Sequence, residues 1–261
     1  MPTITDSKCI LIIGATSGIG RALALAIHSL PSQPTVLIGG RRQERIDELC
    51  KGHERIRGAR VDVMGGREEM RAFVEKTVGE YPELDAVMFA SGIQHPFNFS
   101  KPDEIDLDLV EAEFTTNYVS ILTLLKFFIP HFLKLSEQGR PSFIIPVTSN
   151  LAIVPAPHVP DYCATKAALH SLSFTLDKNL KDTNVHVMEI LPPLTESELH
   201  DHQGTRERLS KSWMPLDAFT EEAMAGLCRG DFQIPVGNAK DTWYRFERGK
   251  NEELNSPQRK V

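Results

Sequence analysis

A glycine-punctuated turn near the start constrains this chain more than any other feature. A short apolar run, Cys9 to Ile13, leads into Gly14-Ala15-Thr16-Ser17-Gly18-Ile19-Gly20, and Arg21 to His28 continues in residues that favour helix. Strand, glycine turn and helix in that order form the local context of a dinucleotide-binding unit. Gly14 permits the tight turn, Gly18 lets backbone N–H groups approach a pyrophosphate, and Gly20 lets helix and strand pack closely. The spacing is G-x-x-x-G-x-G rather than the commoner G-x-G-x-x-G. Taken alone, the segment also fits a glycine-rich turn that holds no ligand.

The rest of the chain alternates in the same sense. Short apolar stretches are expected as strands near 8–13, 34–39, 56–61, 84–90, 142–148, 184–190 and 231–235. Helices are expected near 18–30, 42–51, 66–80, 104–134, 160–181, 196–211 and 217–228. Strands such as Ala86 to Ala90, apolar throughout, suit a sheet covered on both faces. The alternation argues for an α/β fold, a doubly wound parallel sheet of Rossmann type, with residues 1–261 as one domain. A small helical lid is expected about 194–228, and a polar tail about 238–261, a surface helix followed by a mobile end. Ligands of such sheets bind at the carboxyl ends of the strands, where Gly14, Asp62, Gly92, Ser149 and Pro192 all fall. Pro146 interrupts what should be a central strand, Phe143 to Thr148. Proline removes a ladder hydrogen bond there, so a local bulge just before Ser149 is expected.

Tyr162 and Lys166 carry the chemistry, with Ser149 thirteen residues before the tyrosine. An i, i+4 spacing in an alanine-rich helical stretch puts phenol and ammonium on one face. A free tyrosine has a pKa of about 10, too high for ready proton exchange at neutral pH. A neighbouring lysine cation is expected to lower it and make the tyrosine a usable acid or base. The motif by itself is common in helices, and its weight comes from the glycine turn upstream.

Composition narrows the class. The 29 basic and 35 acidic side chains give a net charge of −6 with no basic block, which argues against a nucleic-acid partner. Cys9, Cys50, Cys163 and Cys228 lack metal or disulfide spacing, so reduced thiols and a cytoplasmic location are expected. Neither a signal peptide nor a run long enough to span a membrane is read from the sequence. His200-Asp201-His202 is read as lid surface, and no metal site is expected.

Taken together, these motifs resemble the short-chain dehydrogenase/reductase family over roughly residues 8–195. Gly14 to Gly20, with Thr16, Ser17 and Ile19, match its cofactor turn. Asp62-Val63 match the acidic–apolar pair near the adenine. Phe89-Ala90-Ser91-Gly92 stands where the family has Asn-Asn-Ala-Gly, so only Ala90 and Gly92 are kept. Asn117, Ser149, Tyr162 and Lys166 match the catalytic set. The resemblance implies hydride transfer between a nicotinamide and a carbonyl carbon. In that scheme Ser149 stabilises the substrate oxygen and Tyr162 moves the proton. Lys166 binds the nicotinamide ribose, and Asn117 holds a water in the proton path. Pro192-Pro193 replaces the usual Pro-Gly beside the nicotinamide, and Thr195 contacts its carboxamide. The stretch from Met214 to Gly237, with Glu189, is similar to a branch labelled DltE-type oxidoreductases.

Cofactor choice is argued at the second strand. Gly40 occupies the place of the acid that selects NAD(H), and Arg41 and Arg42 follow, so NADP(H) is expected over NAD(H). Three apolar, proline-rich segments should line the substrate pocket, with His95, Asn150, His158, Pro193 and Trp213 among their residues. They suit a small hydrophobic carbonyl compound or alcohol. A homodimer or homotetramer through the two long helices is what the resemblance implies. Leu122, Leu125, Phe128, Leu169, Leu172 and Leu176 could serve either that interface or the core. Two alternatives stay open on the sequence: a cofactor-binding redox sensor, and a non-redox lyase or isomerase using Tyr162 for proton transfer.

Overall fold

The computed structural model of the protein describes residues 1–254. Six parallel strands form the main sheet: β1 (Cys9–Ile13), β2 (Thr35–Gly40), β3 (Ile56–Arg60), β4 (Leu84–Phe89), β5 (Ser142–Pro146) and β6 (Val185–Val187). Their order is β3-β2-β1-β4-β5-β6, the doubly wound arrangement whose direction reverses between β1 and β4. β7 (Glu189–Leu191) continues the line of β6 beside β5, and β8 (Gln233–Pro235) pairs with it in parallel.

Helices cover both faces. They are α1 (Gly18–His28), α2 (Gln43–Lys51), α3 (Gly66–Glu80), α4 (Leu107–Phe114), α5 (Ser120–Glu137), α6 (Pro160–Asn179), α7 (Arg206–Leu209), α8 (Leu216–Arg229), α9 (Ala239–Phe246) and α10 (Lys250–Leu254). The period-two alternation of β1 divides its side chains between two cores. Ile10 and Ile12 pack with Leu23 and Ile27 of α1 and Phe219 of α8. Leu11 and Ile13 pack with Val74 of α3, Phe128 of α5 and Leu169 of α6. Every residue of β1 is buried, which is why that strand reads as an unbroken apolar run.

Pro146 produces no bulge, contrary to expectation. Phe143 pairs with His186, Ile144 with Val187 and Val147 with Ile190, so one register holds across the proline. The β4 side is equally regular, from Ala86–Phe143 to Phe89–Pro146. The N–H groups of Ser142 and Thr148 donate to Asn184 and Ile190 at 2.9 Å, and alternation aims the nitrogen of residue 146 at Met188. Proline has no hydrogen to give there, so one ladder bond is lost without displacing the chain. That gap divides the expected sixth strand into β6 and β7.

The long helix expected over 104–134 is also interrupted. A π turn, Thr115–Val119, lies between α4 and α5 and contains Asn117. In the lid, the expected helix over 196–211 is a 3₁₀ turn, Glu198–Gln203, followed by the single turn of α7. Gly204, at φ +64, breaks between them. The expected surface helix of the tail is α9, with α10 after it; the rest of the tail, where a mobile end is expected, lies outside the described residues.

One reading from sequence is corrected. The helical segment Leu107–Glu137 is long and apolar enough, by length and composition, to cross a membrane. Its apolar length has a local cause: Leu124, Leu125, Phe128 and Phe132 enter the core, while Leu107, Leu109, Phe114, Val119 and Leu122 are left exposed. Leu125, Phe128, Leu169 and Leu176 are thus core residues, and Leu122 faces solvent.

Candidate active site

The carboxyl ends of β1, β4, β5 and β7 open onto one cleft of about 830 Å³. The turn Gly14–Gly20 forms its floor, with Thr16, Ser17, Gly18 and Ile19 lining it. Gly14 sits at φ +93, and a Cβ there would collide with the Ser91 backbone. At Gly20 a Cβ would strike the Gly14 carbonyl, so the close approach of α1 to β1 requires glycine. Ser17 caps α1 without a side-chain bond, which leaves the first-turn N–H groups free to point into the cleft. Val63, Ala90, Ser91, Gly92, His95, Asn150, Pro192, Pro193 and Thr195 line the remaining walls, as the sequence led us to expect. Ser91 Oγ and Asn150 Oδ1 are buried there with no hydrogen-bond partner among the described residues.

Ser149, Tyr162 and Lys166 meet in this cleft. The β5 chain turns at Ser149, whose Oγ accepts the Leu151 N–H at 3.1 Å and whose hydroxyl stands within hydrogen-bonding reach of Tyr162. One turn of α6 separates Tyr162 from Lys166, and Lys166 Nζ lies 5.5 Å from the tyrosine ring centre. The ammonium donates to the Val147 carbonyl at 2.9 Å. Burial pulls Lys166 down to about 8, partly opposed by Glu113. The expected lowering of the Tyr162 pKa by lysine does not occur. Burial pushes the phenol well above its ordinary value, and the Ser149 hydroxyl is the neighbour that favours the phenolate.

Asn117 is fully buried and does not line the cleft. Its Oδ1 accepts the Ile93 N–H at 2.9 Å, and its Nδ2 donates to the Ile93 carbonyl and to Thr165 Oγ1 at 2.9 and 3.1 Å. Asn117 therefore ties the chain after β4 to the π turn and α6.

At the end of β2, both Arg41 and Arg42 line the cleft. Arg42 donates to Thr16 Oγ1, to Ser17 Oγ and to Glu198, at 2.7, 2.6 and 3.0 Å. Arg45, which the sequence reading passed over, donates to the same carboxylate at 2.7 Å. The two guanidinium groups hold Glu198 below the usual carboxylate range although its partial burial acts the other way. Arg45 could have been found: it lies in the first turn of α2, directly after the Arg41-Arg42 pair.

Besides Asn117, three expected residues do not line the cleft. Asp62 is exposed, its Oδ1 accepting the Met64 N–H at 3.0 Å, so the carboxylate folds onto its own turn. His158 is exposed and contributes its backbone carbonyl to Phe97. Trp213 packs its ring against the Arg206 guanidinium, 5.9 Å away, outside the pocket. His200 and His202 line the cleft instead, brought there by the 3₁₀ turn.

Two buried carboxyl sites escaped the sequence reading. Glu113, one helical turn before Asn117, is fully buried and binds His95. Behind the cleft, His170 bridges Glu189 at 2.7 Å and Glu247 at 3.1 Å. Burial alone would lower His170, but the two carboxylates prevail and hold it up at about 9.

The sequence model of the short chain dehydrogenases matches residues 8–208. The chain is 33% identical to the uncharacterized oxidoreductase DltE of Bacillus subtilis (strain 168), over 87% of each chain. Among solved structures, a short chain dehydrogenase/reductase from Burkholderia phymatum in complex with NAD superposes with TM-score 0.80 at 18% identity, covering 98% of both chains. A short chain dehydrogenase from Burkholderia cenocepacia J2315 in complex with NADP gives 0.76 at 19% identity, covering 97% of this chain and 99% of that one. The doubly wound sheet, the glycine turn at its switch point and the converging Ser149, Tyr162 and Lys166 agree with that match along most of the sequence: this chain belongs to the short-chain dehydrogenase/reductase family of oxidoreductases.

Proposed function

We propose that the protein is an NADP(H)-dependent reductase or dehydrogenase acting on the carbonyl or alcohol group of a small, largely hydrophobic compound. The observation that carries this reading is the convergence of Ser149, Tyr162 and Lys166 on the same cleft as the uncapped start of α1. The cleft fits a nicotinamide dinucleotide in its chemistry. The Gly14–Gly20 turn and the first N–H groups of α1 suit a pyrophosphate, and the unpartnered Ser91 Oγ suits a further polar group of the cofactor. Arg41, which makes no side-chain bond among the described residues, and Arg42 suit a ribose phosphate, with no acid at Gly40 to repel it.

Bound there, the reduced nicotinamide supplies a hydride to a carbonyl carbon. The chain's own residues manage the oxygen and its proton. Ser149, accepting from Leu151 N–H, donates its hydroxyl to the substrate oxygen. Tyr162, kept protonated by burial, is the general acid in reduction and the base in oxidation. Lys166 keeps a positive charge beneath the tyrosine ring and binds the cofactor ribose. Asn117 fixes the backbone at Ile93 and so the wall of the site. Ile93, Leu151, Leu194 and Leu199 supply apolar lining for the substrate, and Asn150 a polar handle.

The test is NADPH consumption across a panel of aldehydes, ketones and quinones, with NADH in parallel and product identified. Turnover that vanishes in Tyr162→Phe, with NADPH preferred, supports the reading. Product formed without net consumption of NADPH would replace it with a lyase or isomerase; tight binding without product would replace it with a sensor.

A further inference from the structure

A second carboxyl–imidazole pair stands in the cleft wall, apart from Ser149, Tyr162 and Lys166. Oε2 of Glu113 accepts the His95 backbone N–H at 2.7 Å and meets His95 Nδ1 at 2.9 Å. The carboxyl is wholly buried on α4, and its Oε1 has no partner among the described residues. A carboxyl group held against Nδ1 fixes the ring, which leaves Nε2 as the nitrogen that can exchange a proton with the cleft. The His95 ring lines the cleft and its side chain is 18% exposed, so a buried acid is linked to solvent through one imidazole.

The surroundings suit proton exchange. Asp161, Tyr162 and Lys166 face Glu113 from α6, His202 faces the His95 ring from the 3₁₀ turn at 5.3 Å, and Asp106 acts on His95 from the start of α4. Burial first, and Asp161 second, push Glu113 up to about 8, against the opposing pull of the His95 N–H and Lys166. Burial and His202 lower His95. Both shifts favour the neutral pair, a protonated Glu113 carboxyl facing a neutral imidazole, so the two groups hold one proton between them.

We propose that Glu113 and His95 form a second proton-transfer pair, through which the proton that Tyr162 gives up in reduction is restored from solvent. This rests on Tyr162 being the general acid. The N–H bond at His95 Nε2 breaks and its proton passes through cleft water to the phenolate oxygen. As it leaves, the proton of the Glu113 carboxyl moves to Nδ1, and when solvent protonates Nε2 that proton returns to Glu113. No electrons move in these steps. Glu113 is a positioning residue that acts through His95.

The test has two arms. Nitrogen NMR of the cofactor-free protein with labelled histidine, the His95 signal being identified by its loss in His95→Asn, should show a neutral ring protonated at Nε2 near pH 7 and a titration that shifts in Glu113→Gln. Identical His95 titration in both proteins overturns the pair. In the kinetic arm, reductive kcat should fall as pH rises through the pair's titration, because the proton to be delivered is lost. Both variants should lower kcat by about tenfold or more and remove that limb, with the NADPH KM little changed. Added imidazole should restore part of the rate in His95→Ala and none in Tyr162→Phe. Tyr162-dependent turnover whose pH profile is unchanged in both variants overturns the relay. Absence of turnover in the wild type would count against the reductase reading, and the NMR arm would still decide the pair.

Discussion

Tyr162 shows how far a residue's chemistry depends on its burial. Its spacing to Lys166 is legible in the sequence, yet the expected depression of its pKa is reversed because the ring lies beneath the cleft with 7% exposure. Desolvation of a phenolate costs more than the lysine offsets, since that ammonium is aimed at the Val147 carbonyl. Tyr162→Phe is expected to lower turnover by at least about a hundredfold, with NADPH binding retained; steady-state rates and a fluorescence titration check this. At the phosphate end, Arg41→Ala and Arg42→Ala should each reduce the NADPH-over-NADH preference by about tenfold or more, the scale of one lost charged hydrogen bond. An unchanged ratio of kcat/KM values in both variants would remove the arginines from cofactor choice. Glu113 escaped notice because nothing in Leu109 to Glu113 distinguishes a buried glutamate from a solvated one. Only its separation of four residues from Asn117 hints that both face the site.

At the level of elements, the sequence gives type and order, while pairing partners decide the interruptions. Pro146 was correctly read as a missing donor and wrongly as a bulge, because its nitrogen faces Met188 at a position where register survives one lost bond. The π turn at Thr115–Val119 was not legible: its Thr, Asn, Tyr and Val are weak helix formers, but that does not separate a π turn from an α-helix, and the bonds from Asn117 to Ile93 and Thr165 are tertiary. The contact of α9 with the core was equally hidden, because His170, Glu189 and Glu247 are far apart in sequence. That triad makes a pH prediction. His170 rises from 6.5 to about 9, so its contribution is fully present below about pH 6.5 and is lost as pH rises through about 9. The loss is on the order of 3 kcal/mol, and thermal melts of the wild type should fall across that window. In Glu247→Gln the protein should melt lower at neutral pH, and its alkaline decline should move to lower pH. A wild-type melting temperature that is flat across the window would mean the proton is not held by folding.

For the whole molecule, Leu122 and the neighbouring exposed apolar residues Phe114 and Val119 mark the surface we propose to pair two copies, as the family resemblance implied. Leu122→Glu is expected to shift the protein to monomer in light scattering without changing its far-ultraviolet spectrum. A dimer that persists in this variant would place the interface elsewhere. The sequence by itself determined the doubly wound sheet, the glycine turn and the spacing of Ser149, Tyr162 and Lys166, because each rests on local periodicity or on a backbone only glycine permits. Tertiary structure alone decided the exclusion of Asp62, His158 and Trp213 from the cleft, the entry of His200 and His202, and the burial of Glu113 against His95. The physical reason is that burial and charge pairing depend on which distant segments meet, and no local pattern encodes that meeting.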